Sequence, residues 1–236
     1  MTEPAPPHRL PEEGHRHGRL SAHATVVAEP APPGTSPVAD PWAGRPGLRH
    51  VPPGDGPYRL VVLLHGAGGS ARQGLDLLLP LADAHGLLLL APQATASTWD
   101  LIAEGYGPDV ARIDALLAEA LGTYPVSDVT FGGFSDGASY ALSLGLTNGD
   151  LVDAVLAFSP GFAAPLVTHG RPRVFVSHGD DDRVLPVDMC SRRLVPRLHT
   201  LGYPVEYAEF GGGHEVPAEI RRRAVDWLVG VSGPAR

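Results

Sequence analysis

Gly133, Phe134, Ser135, Asp136 and Gly137 stand between an apolar run and a segment with helical spacing. A Gly-x-Ser-x-Gly turn in that strand–turn–helix setting lifts a serine hydroxyl out of a sheet and exposes it as a nucleophile. The turn holds the serine in a strained backbone conformation that crowds the residues two positions away, and glycine at 133 and 137 removes the side chains that would clash. A serine hydroxyl attacks poorly until a base takes its proton, and the base needs a carboxylate to orient it. In the chain order that accompanies such a turn, the carboxylate comes next and the histidine last.

Four histidines follow Ser135: His169, His178, His199 and His214. His214 lies in the run Gly211 to Pro217, after one strand and before the last helix, where a glycine loop lets an imidazole swing over the serine turn. His178 precedes the acid loop and is expected to pack or hydrogen-bond locally. His199 falls inside a helix and His169 in a loop. The carboxylate belongs to Asp180, Asp181 or Asp182, which follow a strand directly, and chemistry alone leaves the three open. Two of them must be turn or cap residues. Acyl transfer also needs donors for an oxyanion. One is the backbone N–H of Asp136, after the serine. The second is expected from His65-Gly66-Ala67-Gly68-Gly69, with Ala67 as the donor, because small residues allow close backbone approach.

The elements that must position these groups are legible in the apolar pattern. Strands are expected at Tyr58–His65, Leu87–Ala91, Val129–Phe134, Val152–Phe158, Arg173–Ser177 and Val205–Phe210. Helices are expected at Ala71–His85, Pro108–Leu121, Asp136–Leu146, Cys190–Leu201 and Val216–Val229. Alternating strands and helices imply an α/β fold, with a mostly parallel sheet covered on both faces. A weak alternation over Gly18–Ala28 suggests an edge strand, with Leu48–Val51 as its hairpin partner. Residues 1–57 hold 13 of the 25 prolines. Residues 1–17 read as a disordered tail in which His8, His15 and His17 are solvated, and 18–232 as a single domain.

Composition narrows the chemistry. The 236 residues are enough for one domain with a real core, and 43% are hydrophobic. A net charge of −8 argues against nucleic acid or an anionic membrane as partner. All 18 basic residues are arginine, so a Schiff-base lysine, a Walker lysine and a Ser–Lys pair are excluded. Cys190 stands alone, which excludes an internal disulfide and a multi-thiolate metal site. Met1–Leu10 has neither a basic nor an apolar signal region, and no apolar stretch reaches transmembrane length. The expectation is a cytoplasmic protein that needs no cofactor or metal.

Taken in order, Leu64-His-Gly-Ala-Gly-Gly69, Gly133-Phe-Ser-Asp-Gly-Ala138, His178-Gly-x-x-Asp-x-Val-x-Pro186 and Gly213-His-Glu-Val-Pro217 resemble the phospholipase/carboxylesterase branch of the α/β-hydrolases. They are also similar to polyhydroxybutyrate-depolymerase and feruloyl-esterase-like esterases. The resemblance spans roughly residues 48–230. It implies a serine hydrolase with Ser135 as nucleophile, His214 as base and Asp182 as the acid, acting on a small-molecule ester through an acyl-enzyme. Many relatives carry Gln or Asn where this chain has Asp136, and the extra carboxylate puts anionic substrates in doubt. Cap domains of this superfamily insert near Pro160–Arg171, which is too short to hold one, so small or exposed acyl groups are expected. Trp99 is a candidate for the acyl pocket, with core packing as its alternative.

Other functions share parts of these motifs. A thioesterase or acyltransferase would use the same residues. Gly66-Ala-Gly-Gly-Ser-Ala71 also fits a dinucleotide-binding turn, but that reading needs an acidic residue after the next strand, where Pro92 and Gln93 stand. A non-catalytic module of the same fold would ordinarily lack one of the three reactive residues, and none is missing.

Overall fold

Leu60, Val61, Val62, Leu63 and Leu64 are all buried, and they divide by parity. Leu60, Val62 and Leu64 join one apolar cluster, and Val61 and Leu63 join another. An unbroken apolar run is what a strand covered on both faces requires, because successive side chains point to opposite sides. The computed structural model describes residues 12–23, 29–38, 46–103 and 105–230. Its strands are β1 (Gly34–Val38), β2 (Gly47–Val51), β3 (Tyr58–Leu64), β4 (Leu87–Ala91), β5 (Val126–Phe134), β6 (Ala154–Phe158), β7 (Arg173–Gly179) and β8 (Val205–Phe210). They form one eight-stranded sheet in the order β1-β2-β4-β3-β5-β6-β7-β8. The pairs β1–β2 and β2–β4 are antiparallel, and every later pair is parallel.

The helices are α1 (Glu12–His15), α2 (Ala71–Leu75), α3 (Leu79–His85), α4 (Asp100–Ala103), α5 (Pro108–Thr123), α6 (Asp136–Thr147), α7 (Ser191–Thr200) and α8 (Ala218–Val229). Residues of α5, α6 and α7 pack into the first cluster, and residues of α2, α3 and α8 into the second. The chain leaves β3 toward β4 on one side and returns to β5 on the other. The loops after β3 and β5 therefore diverge from adjacent strands, which creates a crevice at the carboxyl ends of the sheet. Residues 159–172 join β6 to β7 without a helix or regular strand, and no cap domain is inserted there. No helix among the described residues is long and apolar enough to cross a membrane.

Three expectations are corrected. The helix expected over Ala71–His85 is two helices, α2 and α3. Pro80 cannot donate to the carbonyl four residues back, and its ring clashes there, so the chain restarts with Pro80 in the first turn of α3. The strand paired with β2 is Gly34–Val38 rather than Gly18–Ala28. Residues 18–23 are irregular, and 24–28 lie outside the described residues.

The solvated tail is the third. Residues 1–11 and His8 lie outside the described residues, but residues 12–15 form a helical turn and His15 is buried. The Asp114 carboxylate accepts from His15 Nε2 at 2.9 Å, Ser21 Oγ at 2.7 Å, and the Ser21 and Ala22 N–H groups at 2.8 and 2.7 Å. Asn148 adds a second clasp, accepting from the Leu20 N–H and donating to the Gly18 carbonyl. His17 donates locally to the Glu13 carbonyl and stays exposed. Burial works to raise the Asp114 carboxyl, yet its bonds to His15 and Ser21 hold it below the usual carboxylate range.

Candidate active site

Ser135 caps α6 with φ 59° and ψ −122°, a left-handed conformation for a residue with a side chain. Its N–H donates to the Phe158 carbonyl at 2.9 Å, so pairing to the neighbouring strand end helps hold the strained turn. The flanking glycines are steric necessities. A Cβ on Gly133 would lie 2.8 Å from the Leu64 carbonyl oxygen, and one on Gly137 would lie 2.5 Å from that of His65. The two glycines let the turn close on itself and let α6 start directly against the end of β3.

His214 and Asp182 arrive from the loops after β8 and β7. Ser135 Oγ lies 2.9 Å from His214 Nε2, and Asp182 Oδ2 lies 2.6 Å from His214 Nδ1. With Nδ1–H donating to the carboxylate, Nε2 is free to accept from the serine hydroxyl. The Phe134 ring packs beside the imidazole, with centroids 4.6 Å apart. Asp182 is buried, and its Oδ1 accepts from the Val184 and Leu185 N–H groups at 2.9 and 2.8 Å. Burial pushes the Asp182 carboxyl up. The Leu185 N–H, His214 and the Val184 N–H outweigh that and leave it below the ordinary value. Asp180 instead accepts from the Gly212 N–H, and exposed Asp181 pairs with Arg183.

None of the other downstream histidines bonds to the serine, but His178 Nε2 lies 3.3 Å from Asp182 Oδ2. His178 is buried, accepting from Ser191 Oγ and donating to the Leu185 carbonyl. Burial lowers its imidazole, against a weaker pull upward from that carbonyl. His199 and His169 are exposed.

The loop after β3 reaches the serine turn: a Cβ on Gly66 would sit 3.4 Å from Ser135 Cβ. Ala67 follows on that loop and is exposed, so its N–H and that of Asp136 lie on the two segments flanking Ser135. Three consecutive residues after β4 hold these segments, which the sequence did not suggest. The Ser97 carbonyl accepts from the Gly68 N–H at 2.6 Å, Thr98 Oγ1 donates to Asp136 Oδ2 at 2.7 Å, and Trp99 Nε1 donates to the His65 carbonyl at 2.8 Å.

Trp99 is therefore not a pocket wall. It is fully buried, stacked on Tyr140 with centroids 5.3 Å apart and lying 4.8 Å from the His65 ring. Its indole finds a partner in the backbone of the loop it supports, so the core claims it. His65 itself is buried and neutral, with Nδ1–H donating to the Gly66 carbonyl and Nε2 accepting from Gln93 and the Ala94 N–H. Burial lowers its imidazole, and the Gly66 bond opposes this. Gln93 Oε1 also takes the Ala71 N–H at 2.9 Å, at the start of a helix of five residues. A dinucleotide phosphate would need that N–H for itself. Among the described residues, no group of three or more histidine, cysteine or acidic side chains is arranged to hold a metal ion.

Comparison with known proteins agrees with this architecture. A model of the phospholipase/carboxylesterase family matches residues 110–228. The crystal structure of esterase PE8 is 29% identical, covering 77% of this chain and 97% of its own, with a TM-score of 0.64. A protein of Thermus thermophilus is 24% identical over 82% of this chain and 95% of its own, with a TM-score of 0.62. Acyl-protein thioesterase 2 of Zea mays is 21% identical over 78% and 98%, with a TM-score of 0.55. The last two likenesses bear on the fold alone. No curated protein sequence matches the chain.

Proposed function

The chain belongs to the phospholipase/carboxylesterase family of α/β-hydrolases, and on that premise we propose that it cleaves carboxylic esters of small or exposed acyl groups through a covalent acyl-enzyme on Ser135. One observation carries this reading: the continuous contact from Ser135 Oγ to His214 Nε2 and from His214 Nδ1 to Asp182 Oδ2.

In the proposed reaction, Ser135 Oγ adds to the ester carbonyl carbon as its proton passes to His214 Nε2. The negative charge that develops on the carbonyl oxygen is met by the Ala67 and Asp136 N–H groups. Collapse of the tetrahedral intermediate breaks the bond to the alcohol, which leaves with the proton from His214. Water then enters, gives a proton to His214, and displaces the acid from Ser135 by the same route. Asp182 stays ionised throughout, because its backbone donors and His214 stabilise the carboxylate. It fixes the imidazole tautomer and offsets the charge on the imidazolium. The absence of a cap over residues 159–172 suits acyl groups that approach from solvent.

The reading is tested with a chain-length series of p-nitrophenyl esters run beside the matching thioesters. Turnover highest with short oxygen esters, together with labelling of Ser135 by a fluorophosphonate in peptide mapping, supports it. A folded protein that hydrolyses none of them and resists the phosphonate refutes it.

A further inference from the structure

The reaction proposed above uses the backbone of Asp136 and leaves its carboxylate without a role. That carboxylate is half-buried at the first position of α6, beside Ser135 in the chain, and Thr98 Oγ1 donates to its Oδ2 at 2.7 Å. Thr98 is neutral, so the bond fixes the carboxylate in place without cancelling its charge. The support behind Thr98 is firm, because Ser97 and Trp99 on either side are bonded to Gly68 and His65. A side chain held this way cannot swing freely into solvent when a substrate enters.

The surroundings do little to neutralise it. Residues 65–70, 92–99, 180–187 and 211–217 frame Ser135, and they contain Asp180, Asp181, Asp182 and Glu215 against a single arginine, Arg183. Arg183 is exposed and engaged by Asp181 at 3.3 Å. The start of α6 would ordinarily favour an anion, through its free N–H groups and the helix dipole. Asp136 places a fixed negative charge at that same end, where it opposes a second one.

We propose that Asp136 is a specificity-determining residue that disfavours esters whose acyl group carries an anion close to the scissile carbonyl, and so restricts the substrate class to neutral and cationic acyl esters. The inference rests on the esterase reading of Ser135. Asp136 follows Ser135 directly in the chain, so a carboxylate two or three carbons from the reacting carbonyl would meet its charge at a separation comparable to the Debye length, about 8–10 Å near physiological salt. Partial burial leaves that repulsion only partly screened. A neutral ester of equal length meets the same walls without it.

The test compares p-nitrophenyl butyrate with mono-p-nitrophenyl succinate, which match in chain length and differ by a terminal carboxylate. Asp136→Asn keeps an acceptor for Thr98 and removes the charge, while Thr98→Val removes the bond and keeps the charge. The expected result is that Asp136→Asn raises the succinyl-to-butyryl ratio of kcat/KM by about five- to tenfold, the scale of one partly solvated charge pair. The wild-type ratio should also rise as salt is raised to about 0.5 M, and that of Asp136→Asn should rise less, because the other acidic residues around Ser135 remain. Thr98→Val should stay nearer the wild-type ratio than the Asp136→Asn ratio. If Asp136→Asn fails to fold, Asp136→Gln must move the ratio the same way.

An unchanged ratio in the neutral variants, or an equal change in Thr98→Val, overturns the inference while butyrate hydrolysis leaves the esterase reading standing. A wild-type protein that turns over neither ester and resists a neutral fluorophosphonate overturns both.

Discussion

Gly137 packs its bare Cα against the backbone of Leu64 and His65: a Cβ there would collide with the Leu64 carbonyl oxygen and lie 2.5 Å from that of His65. Backbone cannot yield as a flexible side chain can. Gly137→Ala must therefore push the start of α6 away from β3, and Ser135 moves with it. The expected cost is about 1–3 kcal/mol, as for other overpacked sites, read as a lower urea midpoint. Gly211→Ala is the control, since nothing lies within 4 Å of a Cβ there. It should change the midpoint little. Equal midpoints for the two variants would contradict the close packing of helix on strand.

Asp114 ties residues 12–22 to α5 through four accepted hydrogen bonds, three of them from Ser21 and Ala22. Asp114→Ala leaves those donors unmet in a site where Ala22 and His15 are buried. A loss of about 2–4 kcal/mol is expected from the stranded donors. Hydrogen exchange should then speed up in residues 15–22 before it does in β3 or β5. The sign with pH follows from the lowered carboxyl. The clasp contributes fully above the unfolded value, about 3.9, and is lost as pH falls through the lower folded one. Unchanged exchange in Asp114→Ala would show that the segment is held by other means.

These two relationships mark where the sequence was readable and where it was not. The central strands were legible because both faces are buried, and Leu87–Ala91 could be bounded to the residue. The order of loops around Ser135 followed from the alternation of strands and helices. Contacts across long stretches of chain left no local mark. Asp114 sits in α5 among apolar neighbours, and its partners lie more than 90 residues earlier. The hairpin partner of β2 was misplaced because Gly34–Val38 contains Pro37, which an edge strand tolerates and a pattern search discounts. Trp99 stays open between acyl pocket and core in the sequence, because it follows a strand on the side of the expected site. Nothing local distinguishes an indole that faces a cleft from one that braces the loop forming it.

Two buried histidines make stability depend on pH in a stated direction. Burial lowers both His65 and His178 below the ordinary histidine value. In the unfolded chain each imidazole titrates at about 6.5, so below that pH the unfolded state binds more protons than the native one. Stability is then fully present above about 6.5 and is lost as pH falls toward the folded values. Each histidine adds at most about 1.4 kcal/mol per pH unit in that window. Urea midpoints should fall from about pH 7.5 to about pH 5, and the slope should be shallower in His178→Gln. A flat profile over the window would mean that neither imidazole is held neutral.

The proposed chemistry separates the three neighbouring aspartates. Asp182 is the one in contact with His214, at 2.6 Å, and it is braced by two backbone N–H groups. Asp182→Asn can keep a similar shape, but an amide favours the wrong imidazole tautomer, and kcat for a neutral ester should fall by about 10³–10⁴. Asp181 is exposed and paired with Arg183, so Asp181→Asn should keep kcat close to the wild-type value and change stability by no more than about 0.5 kcal/mol. Ser135→Ala should lose at least as much as Asp182→Asn, and the double variant should lose hardly more than Ser135→Ala alone, because residues that act as a unit are not additive. Steady-state kinetics on the four proteins, with urea midpoints to confirm folding, decide the matter. A fully additive double variant, or an inactive Asp181→Asn with Asp182→Asn active, would assign the carboxylate elsewhere on the loop.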